Sequence, residues 1–211
     1  MKCPATDATN EASVPTLQVP PPLNSKPTGH PPAPLGDDGA RRILAASMEI
    51  LHQGVALLGG LSPEVYAAKV PEVFNASIGA HYRHCLDHVA SLLDGFGTQR
   101  VDYDDRARDP QLEREPEFAR AMTRQLLNRL ELLPPGSLAS PVSVRCEVSY
   151  GSGDAPVTQS TLGRELVYAI AHGIHHYALI SVIARLLNVP LPPNFGVAPS
   201  TVTHLQTVAG S

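Results

Sequence analysis

A long apolar stretch near the C-terminus, residues 164–187, constrains the fold more than any other part of the chain. The run RELVYAIAHGIHHYALISVIARLL is of helical length and contains His172, His175 and His176. At about 100° per residue, His172 and His176 lie one turn apart on one face, and His175 points elsewhere. Imidazoles at this spacing can bind one metal ion. The stretch therefore predicts a core helix carrying either part of a metal site or a hydrogen-bonded histidine pair.

A second helix with several histidines is predicted at residues 75–94, NASIGAHYRHCLDHVASLLD. His81, His84 and His88 follow one another at spacings of three and four residues, which places all of them on one flank. Packing of a soluble helix does not require three histidines on one face. This helix therefore offers a third metal ligand, although the spacing alone does not choose among the three. Cys85 is turned away from His84 and is predicted to be a core residue.

Two further long helices complete the prediction of an all-α fold. Helical periodicity covers residues 39–58, with Asp37 and Asp38 as the N-cap, and residues 115–133. A short helix is expected at residues 63–68, where a serine cap precedes proline. Four long helices predict a four-helix bundle, in which facing helices commonly build metal sites.

In the connection before the last long helix, apolar and polar residues alternate with a period of two. Residues 141–160 read VSVRCEVSY, GSGDAP and VTQST after the opening proline, which predicts a short β-hairpin inserted in the bundle. Ser160 or Thr161 then caps the helix. After the helix, the proline-rich segment NVPLPPNFGVAPST, residues 188–201, is expected to be irregular and to pack across the bundle.

The N-terminal part of the chain differs in composition from the rest. Residues 1–36 are crowded with proline, threonine, serine and asparagine, and predict a disordered tail because too little apolar surface could be buried. The predicted folded domain is residues 37–204, and residues 205–211 are expected to fray.

Charge and cysteine content exclude several functional classes. A formal net charge of −4 without a Lys/Arg cluster disfavours nucleic-acid binding. The apolar stretches are interrupted by His, Arg or Glu, so no membrane span is predicted. The three cysteines form no CxxC pair and no apolar signal core begins the chain, so we expect a cytoplasmic protein.

An acidic segment with interspersed arginines, VDYDDRARDPQLEREPEF, occupies residues 101–118. Such a pattern is typical of a solvated surface with salt bridges. The alternative is that Arg106, Arg108 or Asp109 reaches over a pocket.

One sequence pattern suggests a di-iron site. Glu49 and His52 form an E-x-x-H unit, but a di-iron bundle needs two such units and two further glutamates. A di-iron site is therefore disfavoured, and His52 is left as a residue that could approach the other histidines from the first helix.

The segments SIGAHYRHCLDH and RELVYAIAHGIHHYALI together resemble the DinB/YfiT-like superfamily of metal-binding four-helix bundles. In that family one histidine follows a Ser-x-Gly pattern on the second helix, and two come from H-x-x-x-H on the last helix. The resemblance implies His84, after Ser77 and Gly79, as the first ligand, with His172 and His176 as the others. His81 remains the main alternative to His84, and His88 is expected near the ligands or on the surface.

The resemblance also implies a function. A divalent zinc, nickel or iron ion held by three histidines would retain an open position. The expected activity is that of a metal-dependent hydrolase or a thiol-dependent transferase acting on a small molecule, with a low-molecular-weight thiol as possible co-substrate. The alternatives are a non-catalytic binding bundle and a bundle with purely structural histidines. A homodimer is expected by analogy, and the segments YDDRARD, HHYALI and FGVAPST resemble an uncharacterised branch.

Residues that support metal ligands are a further expectation. Metal-bound imidazoles usually donate their second N–H to a carboxylate or carbonyl oxygen. Asp87 and Glu165 are candidate acceptors, although both could be surface charges. Tyr168 either faces the open side of the metal or packs in the bundle.

Overall fold

The computed structural model describes residues 35–151 and 153–209. Within this part, four long helices form the bundle: α1 (Asp37–Leu58), α3 (Ile78–Thr98), α5 (Pro116–Glu131) and α6 (Leu162–Leu186). Helices α1 and α3 each pack against both α5 and α6. The predicted all-α four-helix bundle is confirmed. Residues 1–34, which hold most of the predicted disordered tail, lie outside the described residues, and the domain boundaries stay predictions.

Shorter elements connect these helices. The additional helices are α2 (Pro63–Ala67), α4 (Pro110–Arg114) and α7 (Pro199–Ala209), with short 3-10 turns at Pro71–Val73 and Pro135–Ala139. The strands are β1 (Arg100–Asp102), β2 (Pro141–Arg145) and β3 (Val157–Thr161).

The strands form a small sheet in the order β1-β2-β3. Strands β2 and β3 are antiparallel, with Pro141 opposite Thr161, which confirms the predicted hairpin. Strand β1 was not predicted: it pairs in parallel with β2, with Val101 opposite Val144. Three residues are too few for a strand period to be visible in the sequence. This pairing fixes the start of the loop that follows α3.

Two local predictions are corrected at helix termini. Gly36, rather than an aspartate, is the N-cap of α1, and Asp37 and Asp38 lie in the first turn, where their charges favour the helix dipole. Helix α3 begins at Ile78 instead of residue 75, because the Ser77 side chain accepts a hydrogen bond from the backbone N–H of Ala80.

The C-terminal segment is less irregular than the prolines suggested. Pro199 stands at the first position of α7, where a missing N–H costs nothing, and the helix continues to Ala209. The prediction of an irregular segment over residues 188–201 is therefore wrong from residue 199 onward, and most of the end that was expected to fray, up to Ala209, is helical. Before α7, Phe195 stacks on Tyr177 with ring centroids 4.4 Å apart, so this part packs across the bundle as predicted.

The core is aliphatic, with three fully buried tyrosines, Tyr66, Tyr82 and Tyr177. Helix α6 contributes Leu166 and Ile180 to it. By length and composition alone, α6 could cross a membrane, and among the described helices it is the one that could. Its contacts with α1 and α3 explain the same apolar character by packing.

A candidate three-histidine metal site between α3 and α6

The histidines of α3 and α6 meet along the line where these two helices pack, here called the histidine seam. The Nε2 atoms of His84 and His172 lie 2.9 Å apart. Ligand atoms of His84, His172 and His176 all lie within 4.8 Å of one another. The structure therefore brings together the three residues that the family resemblance implied, and each is half-buried.

The Ser-Ile-Gly segment at the start of α3 explains why His84 faces α6. Ser77 caps the helix and Ile78 is fully buried. Gly79 passes so close to α4 that a Cβ atom would collide with the carbonyl oxygen of Glu113. These contacts fix the rotation of α3 about its axis. Because His84 lies on the same regular helix as Gly79, its direction toward α6 is then fixed as well.

The remaining histidines of these helices surround the three. His81 lies with its Nδ1 atom 2.9 Å from Nδ1 of His176, on the outer side of the group. His88 is buried, donates from Nδ1 to the carbonyl oxygen of His84 at 2.9 Å, and has its ring centroid 4.3 Å from that of His172. His175 is exposed, as expected for a residue turned away from the pair.

The loop after β1 covers one end of the histidine seam. The backbone N–H of Tyr103 donates to the carbonyl oxygen of Arg145 at 3.1 Å, and its ring stacks on His88 with centroids 5.1 Å apart. Farther along, NH1 of Arg106 lies 2.8 Å from Nδ1 of His84. Arg106 therefore reaches toward the candidate site, which was one of the two alternatives for residues 101–118. The role of Tyr103 was missed, although it belongs to the YDDRARD segment that the sequence singled out.

Other residues of this segment lie away from the histidines. Asp109 caps α4 by accepting from the backbone N–H of Gln111 at 2.8 Å. Arg108 is exposed. These residues fit the surface interpretation.

Burial keeps the seam imidazoles neutral. Burial, together with the His88 ring, lowers the pKa of His84 to about 2. Burial and the His172 ring lower the pKa of His176 to about 3, and burial also lowers the pKa of His172. Burial likewise lowers the pKa of His88 to about 4. Neutral imidazole is the form that binds a metal ion, so no proton has to be removed at neutral pH.

The two predicted carboxylate acceptors have other partners. Asp87 is 7% exposed and pairs with Arg83 at 2.8 Å. Glu165 is equally buried and accepts hydrogen bonds from the hydroxyls of Tyr103 at 2.9 Å and Ser160 at 2.6 Å. Neither carboxylate bonds to a histidine, so their expected role as acceptors is not found. Glu165 instead anchors the tyrosine that stacks on the seam.

Tyr168 and Cys85 take different places beside the seam. Tyr168 is half-buried and stacks on His172 with centroids 5.6 Å apart. Cys85 is buried in the core, as predicted.

The E-x-x-H pair of α1 takes no part in the site. Glu49 and His52 are both exposed. His52 lines a surface cleft with Arg124 and Asn128 of α5. The suggestion that it approaches the seam is wrong.

Two clefts show how the flanking segments are placed. A cleft of about 300 Å³ lies between α3 and the loop after β1, lined by Arg106 and Asp87 among others. Residues 193–203 line a different cleft of about 310 Å³ with Ile170, on the other side of α6 from His172. The loop after β1 is therefore next to the histidines, whereas residues 193–203 are not.

The donor set fits a divalent transition metal. Three neutral nitrogens suit zinc, nickel or iron(II). Nitrogen ligands on a tetrahedral zinc are about 3.4 Å apart, given bonds of about 2.05 Å. The observed 2.9 Å pair and the 4.8 Å limit bracket this spacing. His84, His172 and His176 could therefore hold an ion with small side-chain adjustments.

Comparison with known proteins identifies the family. A fungal protein described as FK506-binding protein 5, from Rhizopus delemar, is 32% identical over 106 residues, which is 50% of this chain and 28% of that protein. This chain thus corresponds to little more than a quarter of that relative. No solved structure matches. Residues 52–180, from the second half of α1 to the last third of α6, match the DinB superfamily. Since that match covers more than half of the chain and includes the whole histidine seam, the protein belongs to the DinB superfamily.

Proposed function

We propose that this DinB protein is a mononuclear metal enzyme in which His84, His172 and His176 hold a zinc, nickel or iron ion. It would catalyse attack of a water or a low-molecular-weight thiol on a small electrophilic substrate. The observation that carries the proposal is the group of three neutral histidines with ligand atoms within 4.8 Å of one another.

The composition of the group supports a catalytic rather than a closed structural site. Structural zinc sites usually have four protein ligands, whereas catalytic sites have three and keep a position open. His84, His172 and His176 are half-buried, so each keeps part of its surface accessible to solvent. A divalent ion bound there supplies Lewis acidity, which lowers the pKa of a water or thiol and polarises an electrophile.

The residues around the three histidines would orient and shield the reactants. The rings of Tyr103 and Tyr168, with centroids 5.6 Å apart, form an aromatic wall beside His88 and His172. Glu165 holds the Tyr103 hydroxyl at 2.9 Å. His81 can accept the Nδ1 proton of His176, which would leave the Nε2 lone pair of His176 for the metal.

The proposal is tested in two steps. Protein purified without a histidine tag should contain close to one transition-metal ion per chain, and His176→Ala should contain almost none. His204→Ala, at an exposed position of α7, is the matched control and should retain the metal. Equal metal content in wild type and His176→Ala would contradict the assignment.

The second step is an activity screen of metal-replete protein, with a panel of thiols and electrophiles and the same variants. Turnover that needs an added thiol supports a transferase, and turnover in water alone supports a hydrolase. Metal binding without turnover would favour the non-catalytic binding bundle. The cytoplasmic location and the homodimer stay predictions.

A further inference from the structure

Arg106 lies beside the histidine seam and makes no ion pair with a described residue, although Asp87 lines the same cleft. The ion pairs among the described residues involve Lys69, Arg83, Arg120, Arg129 and Arg145, and none involves Arg106. Its Nε atom is buried without a hydrogen-bond partner. Burying an N–H of a charged guanidinium without an acceptor is costly, so this side chain is short of an acceptor.

The one good hydrogen bond of this guanidinium depends on the tautomer of His84. Arginine can only donate, so the 2.8 Å contact requires a lone pair on Nδ1 of His84. The proton of His84 is then on Nε2, from which it is donated to Nε2 of His172 at 2.9 Å. The 3.3 Å approach of Arg106 to Nδ1 of His88 joins two donors, because that nitrogen already donates to a carbonyl oxygen.

Metal binding removes this hydrogen bond. A neutral imidazole has one nitrogen lone pair and one N–H. If His84 binds an ion through Nε2, its proton moves to Nδ1, which can no longer accept from Arg106. The ion and the Arg106–His84 bond therefore exclude each other, and the guanidinium is released with its charge and donors unpaired.

Three carboxylates near Arg106 already have partners within the chain. Asp87 pairs with another arginine at 2.8 Å, and Glu165 accepts two hydroxyl hydrogen bonds. Asp104 accepts a backbone N–H at 2.7 Å, which also ties the loop of Arg106 to the segment after β2. A bond from the released guanidinium to any of them would have to share the carboxylate with that partner.

We propose that Arg106 binds the carboxylate of an anionic substrate next to the three-histidine site. The planar fork of arginine matches a carboxylate with two parallel hydrogen bonds, and the adjacent dication further favours a negative group. This inference rests on the proposed function, and it adds the substrate class: a small electrophile or thiol that carries a carboxylate.

Cobalt-loaded protein gives the test, with acetate as the probe and the visible spectrum of Co(II) as the readout. Arg106→Gln should weaken acetate binding by about tenfold or more, since hydrogen bonds to charged groups contribute about 1.5–3 kcal/mol. Arg108→Gln, an exposed neighbour in the same loop, should bind acetate as wild type does. Binding of neutral imidazole to the cobalt should be the same in both variants.

The outcomes separate the inference from the proposed function. If wild type takes up no cobalt, or His176→Ala takes up as much, the proposed function is wrong and the inference falls with it. If cobalt binds normally but Arg106→Gln and Arg108→Gln bind acetate equally, only the inference is wrong. Cobalt affinity of Arg106→Gln should equal or exceed that of wild type, because a competitor for His84 is gone. Loss of cobalt binding in this variant would also overturn the inference.

Discussion

Helices α3 and α6 together form two polar clusters, one of tyrosines and one of histidines. On each helix a tyrosine of the first cluster directly follows a histidine of the second. Tyr82 and Tyr177 face inward, are almost completely buried and stack with ring centroids 6.1 Å apart. Their neighbours His81 and His176 face the half-buried seam, with Nδ1 atoms 2.9 Å apart. One residue turns a helix by about 100°, which is enough to exchange the core for the seam.

The tyrosine cluster is closed. The hydroxyls of Tyr82 and Thr123 lie 2.9 Å apart, and Thr123 donates in turn to the carbonyl oxygen of Ala119 at 2.7 Å. The Tyr177 hydroxyl forms a hydrogen bond with that of Tyr82. These hydroxyls are satisfied within the chain, so the cluster stabilises the bundle and offers little to a ligand.

The histidine seam, in contrast, has polar groups that remain available to a ligand. Its nitrogens contact each other and Arg106, and lone pairs that form these bonds are also those that would bind a metal. The lowered pKa values of His84 and His176 keep these lone pairs free of protons. The comparison distinguishes buried polar groups that serve packing from those available for binding. The following predictions test that distinction, beginning with the largest effect.

His172→Ala should lower metal affinity by more than about a hundredfold, because loss even of a supporting residue around a metal ligand costs about 10–100-fold. Competition with a coloured chelator measures it. His175→Ala is the matched control on the same helix, at an exposed position. Equal losses in both variants would remove the distinction between seam and surface histidines.

Gly54→Ala should disturb the tyrosine cluster and spare the histidines. A Cβ at Gly54 would collide with the hydroxyls of Tyr82 and Tyr177, which are packed too tightly to move away easily. Overpacking of this kind costs about 1–3 kcal/mol in the free energy of unfolding. Urea denaturation should show this loss, with metal affinity of the folded protein unchanged. Gly97→Ala in α3, where a Cβ meets open space, should cause no such loss.

Thr161→Ala should lower the stability of α6, the helix that contributes to both clusters, by a smaller amount. The Thr161 side chain accepts a hydrogen bond from the backbone N–H of Arg164 at 3.2 Å and caps α6. Removing such a cap costs about 1 kcal/mol. Thermal unfolding should report the loss, whereas Thr201→Ala, at an exposed position of α7, should change little. A changed metal affinity in Thr161→Ala would show that the cap also sets the seam geometry.

The smallest predicted effect concerns pH. His84 stays neutral in the folded protein because its pKa is lowered to about 2, whereas in the unfolded chain it takes up a proton near pH 6.5. The unfolded state therefore binds more protons as the pH falls below about 6.5, and the metal-free protein loses stability. Between pH 7.5 and 6, this loss should be about 0.5 kcal/mol smaller in His84→Gln, a figure reduced for the partial exposure of the side chain. A loss of the same size in His84→Gln and wild type, measured by urea denaturation, would contradict it.

Much of the bundle was predictable because it depends on local patterns. The apolar run of α6 and the serine cap of α2 are properties of short segments, and so is the histidine spacing of four residues on α6. Strand β1 could not be predicted, because its three residues are held by pairing with distant β2. Helix α7 was missed because the prolines before it were taken to exclude a helix.

The candidate site divides in the same way. The choice of His84 came from the family resemblance, and the structure places it with His172 and His176. The partners of Asp87 and Glu165 were not predictable, since Tyr103 reaches Glu165 from a loop 62 residues away in sequence.

Local sequence patterns were enough to predict the four long helices and which of their residues could become metal ligands, because helical period and capping act within a few residues. Which histidines meet depends on how α3 and α6 pack, and the same packing places His81 and His88 around the three. Only the tertiary structure brings Arg106 to His84 from the loop after β1. Such contacts depend on the rotation of packed helices and on a strand pairing between distant segments, neither of which is encoded in any one stretch of the chain.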